Sequence, residues 1–214
     1  MKIRHSILLI LLAGSLAMAG GIWMAANVLG PTTLDNDALS ATYLSEGLDV
    51  ADFELVSHTG QPFTNDNLED RWTLLFFGFT NCPDICPMTM FELAAVSEKL
   101  TEKGLNGNLQ TVFVTVDPAR DTPDMLAEYV PAFDKRFIGV TGALTEIERL
   151  TRSVGIAHIR HDASGEDDYM VDHGTAVLLI NPNGQMQAVF SSPHRSAAMA
   201  ADLERIFASH GSGG

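Results

Sequence analysis

The chain has little cysteine and little positive charge, and these two shortages exclude some classes of scaffold and of binding partner. Its 214 residues include only two cysteines, Cys82 and Cys86, which are too few for a scaffold stapled by disulfides. Lysine and arginine number 13 against 27 aspartates and glutamates, for a net charge of −14. Because Lys2 and Arg4 lie before residue 31 and every acidic residue lies after it, residues 31–214 carry −16. This charge argues against nucleic acid or an anionic membrane surface as a partner and is compatible with a cationic partner or a metal ion.

Charge is also absent from residues 7–30, an apolar run long enough to cross a membrane. As a helix the run would span ~36 Å, against ~30 Å for the hydrocarbon layer. Lys2 and Arg4 precede it and acidic residues follow it, so the N-terminus is expected in the cytoplasm and the rest of the chain in the periplasm or an equivalent space. We predict one uncleaved transmembrane anchor over residues 1–30 in the inner membrane. Cleavage after Ala19, as in a signal peptide, is the alternative.

The two cysteines lie where a predicted strand is followed by a predicted helix. The continuous apolar run at 72–79 predicts a strand covered on both faces, and the apolar spacing from Met88 to Lys103 predicts a helix ended by Gly104. Thioredoxin-like folds keep their reactive thiols at such a junction, where helix N-terminal amides favour the thiolate. The pair therefore predicts disulfide exchange, metal binding or both. A purely structural disulfide across so short a loop would add little stability.

Further strands and helices alternate over residues 51–209, which we predict to be one α/β domain of thioredoxin-like fold, a mixed sheet with helices on both faces. The predicted strands are 53–56, 62–64, 111–116, 137–140, 176–180 and 186–190. The predicted helices are 123–130 capped by Thr122, 146–154 capped by Thr145 with Glu148 as its capping-box partner, and 196–209. Residues 31–50 are predicted to be a tether and residues 210–214 a disordered tail.

Two thiolates do not complete a stable site for a divalent metal, and histidine is the remaining source of a third ligand. Six histidines follow residue 30: His58, His158, His161, His173, His194 and His210. In thioredoxin-like folds the loop that enters the strand predicted at 176–180 faces the cysteine pair and commonly carries a cis-proline. Here that loop contains His173 and Gly174 and no proline, which favours a metal site over general disulfide exchange. Gly174 is expected to let the backbone approach the thiols.

Cys82, Cys86 and His173 together favour copper. Thiolate selects Cu(I), and imidazole also suits Cu(II), so one site would hold both states. Zinc with an open coordination position remains possible on ligand type. Asp84 and Asp172 are expected to shape the site or to orient His173. An auxiliary metal role for the pair formed by His158 and His161 is a minor alternative.

Several separated motifs resemble those of the Sco/SenC family of membrane-anchored copper chaperones. They are the run Cys82–Pro87 with the preceding residues 76–81, the run Val116–Pro123, parts of residues 129–142, and Val171–His173 followed by Asn181–Gly184. The resemblance covers residues 50–208 or so. It implies that Cys82, Cys86 and His173 bind copper and that the protein assists assembly of the copper centre of cytochrome c oxidase. For Asp117, Arg120 and Asp121 we expect a structural corner or a partner-facing loop.

More than one function fits these residues. A metallochaperone would bind copper through Cys82, Cys86 and His173 and pass it on by ligand exchange. A thiol–disulfide oxidoreductase would use the two cysteines as a redox-active catalytic pair and would not need His173. A sensor would bind copper without transferring it, and a peroxidase would need a single peroxidatic cysteine with threonine and arginine, which this motif lacks. We predict the metallochaperone, with the copper-acceptor subunit of cytochrome c oxidase as partner and other periplasmic copper carriers or thiol reductants as further partners.

Overall fold

The computed structural model describes residues 14–21, 39–105, 107–161 and 169–211. The chain divides into two units, residues 1–33 and residues 34–214. In the first unit, residues 14–21 are helical and exposed, and the rest of the anchor predicted over residues 1–30 lies outside the described residues. Across the described ranges, no helix combines the length and the apolar character needed to cross a membrane.

The described part of the second unit contains ten strands and four α-helices. The strands are β1 (Thr42–Asp49), β2 (Glu54–Ser57), β3 (Pro62–Thr64), β4 (Trp72–Gly78), β5 (Leu109–Thr115), β6 (Ile138–Thr141), β7 (His158–His161), β8 (Met170–His173), β9 (Val177–Ile180) and β10 (Gln185–Phe190). The helices are α1 (Ile85–Glu102), α2 (Pro123–Tyr129), α3 (Leu144–Ser153) and α4 (Ser196–Gly211), with 3-10 turns at Asn65–Asn67 and Val130–Ala132.

Eight strands form one mixed sheet in the order β1-β10-β9-β4-β5-β6-β2-β3, and β7 and β8 form a separate hairpin. β4, β5 and β6 run parallel, whereas β9 runs antiparallel to β4. All seven residues of β4 are buried, so both faces of the sheet are covered there. α1 contacts α4, α2 contacts β6, and α3 contacts β2. This mixed α/β arrangement fits the predicted thioredoxin-like fold.

The central strands are apolar throughout because they are covered on both sides. Phe76 and Phe77 on β4 and Phe113 on β5 are fully buried. Phe76 and Phe113 are register partners with ring centroids 6.0 Å apart. Burying such a side chain stabilises the fold by about 1.5–3 kcal/mol. These rings therefore anchor the end of β4 that leads to the cysteines.

Local sequence signals predicted two helix ends correctly. At the start of α2 the Thr122 hydroxyl oxygen accepts the backbone N–H of Met125, and Pro123 is the first helical residue. After α1, Gly104 has a φ of +69°, a left-handed conformation that glycine adopts without strain.

The start of α3 was predicted wrongly. The helix begins at Leu144 with Ala143 as its N-cap and without a side-chain capping bond. Thr145 therefore lies inside the first turn, and the predicted capping box with Glu148 does not form. The carbonyl of Ala143 accepts the first helical N–H groups, those of Glu146 and Ile147, which moves the start two residues earlier than predicted.

Both ends of the second unit are more ordered than the sequence predicted. Residues 42–49, predicted as part of a tether, form β1, which pairs antiparallel with β10. Buried Asp202 on α4 accepts the backbone N–H groups of Ser40 and Ala41, which anchors the chain ahead of β1. At the other end, His210 belongs to α4 and packs edge-on against Trp72 at 4.8 Å. Residues 31–38 and 212–214 lie outside the described residues.

Candidate metal centre

The three side chains predicted as metal ligands meet beyond the end of β4. Cys82 lies in the loop after β4, Cys86 in the first turn of α1, and His173 at the end of β8. Their ligand atoms all lie within 4.8 Å of one another, and Cys86 Sγ is 3.3 Å from His173 Nε2. Both cysteines are free thiols. Across the described ranges this is the one group of three or more His, Cys, Asp or Glu side chains spaced to hold a metal ion.

The local sequence places Cys86 inside the helix rather than ahead of it. α1 begins at Ile85, three residues before the predicted start at Met88, because the backbone N–H of Met88 already donates to the Asp84 carbonyl. Pro87 is tolerated in this first turn, where backbone N–H groups have no helical partner. As a result Cys86 is fully buried, whereas Cys82 in the loop is 9% exposed.

Glycine at position 78 is what lets α1 approach β4 so closely. A Cβ added to Gly78 would lie 2.9 Å from Cys86 Sγ and 2.7 Å from Phe113 Cε2, both closer than real Cβ contacts. Gly78 therefore makes room for the sulfur. The structure assigns this role to Gly78 and not to Gly174, where an added Cβ would find its nearest atoms in Ile156 and Ala157. The prediction that Gly174 lets the backbone approach the thiols was wrong.

Burial raises the pKa of the Cys86 thiol well above its usual value, and Cys82 and Asp121 raise it further, while a backbone hydrogen bond at Phe79 lowers it. The position at a helix start alone predicts the opposite, a stabilised thiolate. Burial dominates because a charged sulfur on the side of α1 that faces β4 loses its hydration. The metal-free site therefore holds a neutral thiol at Cys86, and metal binding has to displace its proton.

The imidazole of His173 is oriented by the backbone. Its Nδ1 lies 3.1 Å from the Gly174 carbonyl oxygen. Because a carbonyl only accepts, Nδ1 carries the proton, and Nε2 presents a lone pair toward Cys86. Burial lowers the pKa of His173, which favours the neutral form that binds metals. The Phe79 ring stands edge-on to the imidazole at 5.8 Å and limits its movement.

The two aspartates expected beside the site do not bind His173. Asp172 is 78% exposed and pairs with His161 Nε2 at 2.7 Å, so it reaches His173 only through its charge, which raises the pKa of that imidazole. Asp84 is the N-cap residue of α1, is exposed, and makes no capping hydrogen bond through its side chain. The Gly174 carbonyl takes the orienting role that the sequence assigned to an aspartate.

The remaining histidines have other surroundings. His158 is the register partner of His173 in the β7–β8 hairpin but is not part of the ligand group. His58 Nδ1 accepts the Gly139 backbone N–H at 2.9 Å, a structural contact. The sequence patterns did not predict the β7–β8 hairpin, because apolar and polar residues do not alternate along Met170–His173.

Asp121 holds the turn that precedes Cys82. It is fully buried and accepts hydrogen bonds from the backbone N–H of Thr80 at 2.9 Å, the Thr80 hydroxyl at 2.5 Å and the Thr115 hydroxyl at 2.6 Å. Thr80 lies two residues before Cys82. The carboxyl therefore connects the end of β5 to the loop that carries the first cysteine.

Asp117 and Arg120 hold the start of the strand that carries His173. Tyr169 donates its hydroxyl proton to Asp117 Oδ1 at 2.5 Å, and Arg120 Nη1 donates to the Tyr169 carbonyl at 3.1 Å. The guanidinium carbon atoms of Arg120 and Arg160 lie 3.8 and 3.7 Å from the centroid of the Tyr169 ring. Asp117 is buried, which favours the structural-corner interpretation over a partner-facing loop.

Replacing Asp121 with asparagine is expected to change the pH dependence of stability. Burial raises the pKa of Asp121 above its usual 3.8 in spite of its hydrogen bonds. A carboxyl with a raised folded-state pKa contributes stability that is complete below pH 3.8 and is lost as pH rises through the folded-state pKa. The free energy of unfolding of the wild type, measured by urea denaturation and expressed relative to D121N, should therefore fall as pH rises from about 3 to about 7. Asp84→Asn is the control, because Asp84 is exposed. A difference in the free energy of unfolding between wild type and D121N that does not change with pH would contradict the expectation.

Comparison with known proteins agrees with the fold. The sequence model of the SCO1/SenC family matches residues 43–208. The mitochondrial SCO2 homolog of Bos taurus is 35% identical over 207 residues, which cover 95% of this chain and 75% of that protein. The mitochondrial SCO1 homolog of Mus musculus is 34% identical over 158 residues, 74% of this chain but only 56% of that protein.

Among solved structures, the crystal structure of Arabidopsis thaliana ScoI with copper bound is similar, with a TM-score of 0.68 and 33% identity. The match covers 73% of this chain and 96% of that one. The family match extends from β1 into α4 and includes the Cys82, Cys86 and His173 positions. The chain belongs to the SCO1/SenC family.

Proposed function

We propose that this protein is a copper metallochaperone that binds copper through Cys82, Cys86 and His173 and assists assembly of the copper centre of cytochrome c oxidase. The observation that carries the proposal is the grouping of two free thiols and one imidazole nitrogen within 4.8 Å. This donor set suits Cu(I) and also offers Cu(II) a nitrogen ligand. Support comes from the similar Arabidopsis structure, which has copper bound.

The positions of the ligands suit transfer by stepwise exchange. Three ligands leave copper open to attack by an acceptor thiolate, which binds before the donor thiolates leave. Cys82 lies in a loop and is partly exposed, whereas Cys86 is fixed in a helix and fully buried, so Cys82 exchanges first. Cys86 leaves last and takes up a proton, which its raised pKa favours. Copper keeps its oxidation state throughout. Each departing thiolate is replaced by an acceptor thiolate and takes up a proton, and the neutral imidazole of His173 dissociates before Cys86 leaves.

The proposed location is the extracytoplasmic face of the inner membrane. The apolar run at 7–30, with Lys2 and Arg4 ahead of it, supports an anchor whose N-terminus is cytoplasmic. In such an oxidising compartment the thiols require a reductant or bound metal to remain available. The partners are then the copper-acceptor subunit of cytochrome c oxidase, periplasmic copper carriers and thiol reductants.

Reduction of the acceptor is the second candidate function, and the closeness of the free thiols favours it. In that reaction Cys82 and Cys86 become a disulfide while the acceptor's disulfide becomes two thiols. The raised pKa of Cys86 leaves Cys82 as the attacking sulfur. His173 has no part in this exchange, yet its Nε2 is aimed at Cys86 Sγ. That orientation is why we favour metal binding as the main role.

The deciding experiment follows both reactions with the full chain in detergent micelles. The chain is reduced, loaded anaerobically with one equivalent of Cu(I), and mixed with the copper-acceptor domain in its reduced or its disulfide form. We expect the wild type to transfer copper to the reduced acceptor and His173→Ala to retain too little copper to do so. Failure of the wild type to load or transfer copper, together with reduction of the disulfide acceptor by H173A at the wild-type rate, would make the oxidoreductase the better account.

A further inference from the structure

The segment between β8 and β9, residues 174–176, contains the group that orients His173. The Gly174 N–H donates to the Ala157 carbonyl at 2.9 Å, and the Gly174 carbonyl accepts from His173 Nδ1 at 3.1 Å. His173 keeps Nε2 aimed at Cys86 only while that carbonyl stays in place. The position of this short segment therefore decides the tautomer and the direction of the imidazole.

A second histidine holds the next carbonyl of the same segment. His194 lies between β10 and α4, and its Nε2 is 2.8 Å from the Thr175 carbonyl oxygen. Because the carbonyl only accepts, Nε2 carries the proton and donates it. Two consecutive carbonyls, those of Gly174 and Thr175, thus each accept an imidazole N–H, one from His173 and one from His194.

Donation from His194 Nε2 to Thr175 leaves the other ring nitrogen of His194 without a hydrogen bond. Nδ1 is buried and has no hydrogen-bond partner within the described part of the chain. A buried acceptor without a partner is unfavourable. The alternative tautomer would place the proton on Nδ1 and would leave the Thr175 carbonyl without this donor. The fold therefore retains donation to Thr175 at the expense of Nδ1.

His194 also faces the helix that carries Cys86. It lines a cavity of about 260 Å³ together with Ile85, Met88 and Thr89 from the first turns of α1. Ile85 is the residue directly before Cys86. One imidazole is therefore hydrogen-bonded to the segment that orients His173 and faces, across this cavity, the helical turn that carries the buried cysteine.

We propose that His194 is a positioning residue for the candidate metal centre. Its Nε2–H holds the Thr175 carbonyl, which keeps the neighbouring Gly174 carbonyl where it accepts the proton of His173 Nδ1. His173 is thereby maintained with Nε2 free to bind a metal. The effect on copper affinity rests on the proposed function, whereas the tautomer of His173 is a property of the metal-free protein and is tested separately.

The first test is the tautomeric state of each histidine in the reduced, metal-free full chain, labelled with ¹⁵N-histidine and held in detergent micelles. We expect wild-type His173 as the Nδ1–H tautomer and wild-type His194 as the Nε2–H tautomer. His194→Leu, which removes the donor, should give a mixture of tautomers at His173. His194→Gln supplies an amide N–H at a similar reach and should restore the single tautomer. His210→Gln, beside Trp72 at the other end of β4, is the control and should leave His173 unchanged.

The second test is Cu(I) affinity, measured for the same proteins by competition with a chelator. We expect His194→Leu to bind about tenfold more weakly, the lower end of what outer-shell partners of a ligating histidine contribute, and the two glutamine variants to bind like the wild type. An unchanged His173 tautomer in H194L overturns the inference. So does wild-type His194 found as the Nδ1–H tautomer, which decides the matter even where H194L does not fold. If His173→Ala, measured alongside, binds copper as tightly as the wild type, the proposed function is refuted. The result for the His173 tautomer is unaffected, because it is obtained without metal.

Discussion

Replacing His173 with alanine is expected to weaken Cu(I) binding by more than about 100-fold. Groups that only orient a ligating histidine contribute about 10- to 100-fold to metal affinity, and His173 is itself a proposed ligand. Its removal leaves two thiolates, which retain some Cu(I) but give Cu(II) no nitrogen donor. Cu(I) affinity is measured anaerobically in the reduced full chain against a competing chelator, and Cu(II) binding by the thiolate-to-copper absorption band, which should disappear.

His158→Ala is the matched control for this prediction. His158 is the register partner of His173 in the β7–β8 hairpin and is also half-buried, but it lies outside the ligand group. H158A should bind copper like the wild type. An equal loss in both variants would mean that the hairpin, not the imidazole of His173, is what binding requires. Wild-type affinity in H173A would remove His173 from the site.

Replacing Gly78 with alanine is expected to destabilise the fold by about 1–3 kcal/mol, the usual effect of overpacking a core, and to weaken copper binding as well. The new Cβ would lie 2.7 Å from Phe113 Cε2 and 2.9 Å from Cys86 Sγ. Phe113 is fully buried, so its ring cannot move aside without displacing neighbouring side chains. The start of α1 must therefore shift, which changes the position of the Cys86 sulfur relative to His173. Urea denaturation measures the first effect and Cu(I) competition the second.

Gly174→Ala is the control for the glycine prediction, since it makes the same chemical change beside His173 instead of beside Cys86. Its added Cβ would make an ordinary contact of 3.4 Å with Ile156. We expect its free energy of unfolding to stay within about 0.5 kcal/mol of the wild type and its copper affinity to be unchanged. Equal stability and equal copper affinity in G78A and G174A would show that the close approach at Gly78 has no consequence.

Sequence patterns correctly predicted the helices and strands that are determined by residues adjacent in the sequence. The apolar run of β4, the Thr122 cap of α2 and the end of α1 at Gly104 each depend on residues that are neighbours in the sequence. The same holds for the placement of the two cysteines at the junction of a buried strand and a helix. His173 could be singled out because a histidine replaces the usual proline ahead of a predicted strand. These features follow from periodicity, capping and backbone conformation, which a few adjacent residues decide.

Long-range contacts decided what the sequence patterns missed. β1 was predicted as a tether because its apolar residues show no clear period, yet pairing with β10 satisfies its backbone. The hydrogen bond from Tyr169 to Asp117 joins residues 52 positions apart. The motif around Asp117 therefore predicted a structural corner, but it could not predict that this corner supports the strand that carries His173. The partner of His194 was equally hidden, since Thr175 is brought to it by the packing of β9 and β10.

The sequence by itself determined the α/β class, the family and the identity of two thiols and one imidazole as the candidate ligands, because composition, periodicity and motif spacing are local properties. Only the tertiary structure decided how those ligands behave. A helix start predicts a thiolate at Cys86, but burial of the side chain against β4 raises its pKa instead. An aspartate was expected to orient His173, but a backbone carbonyl does so. Protonation and ligand direction depend on which groups are buried together, and burial is a property of the folded chain as a whole.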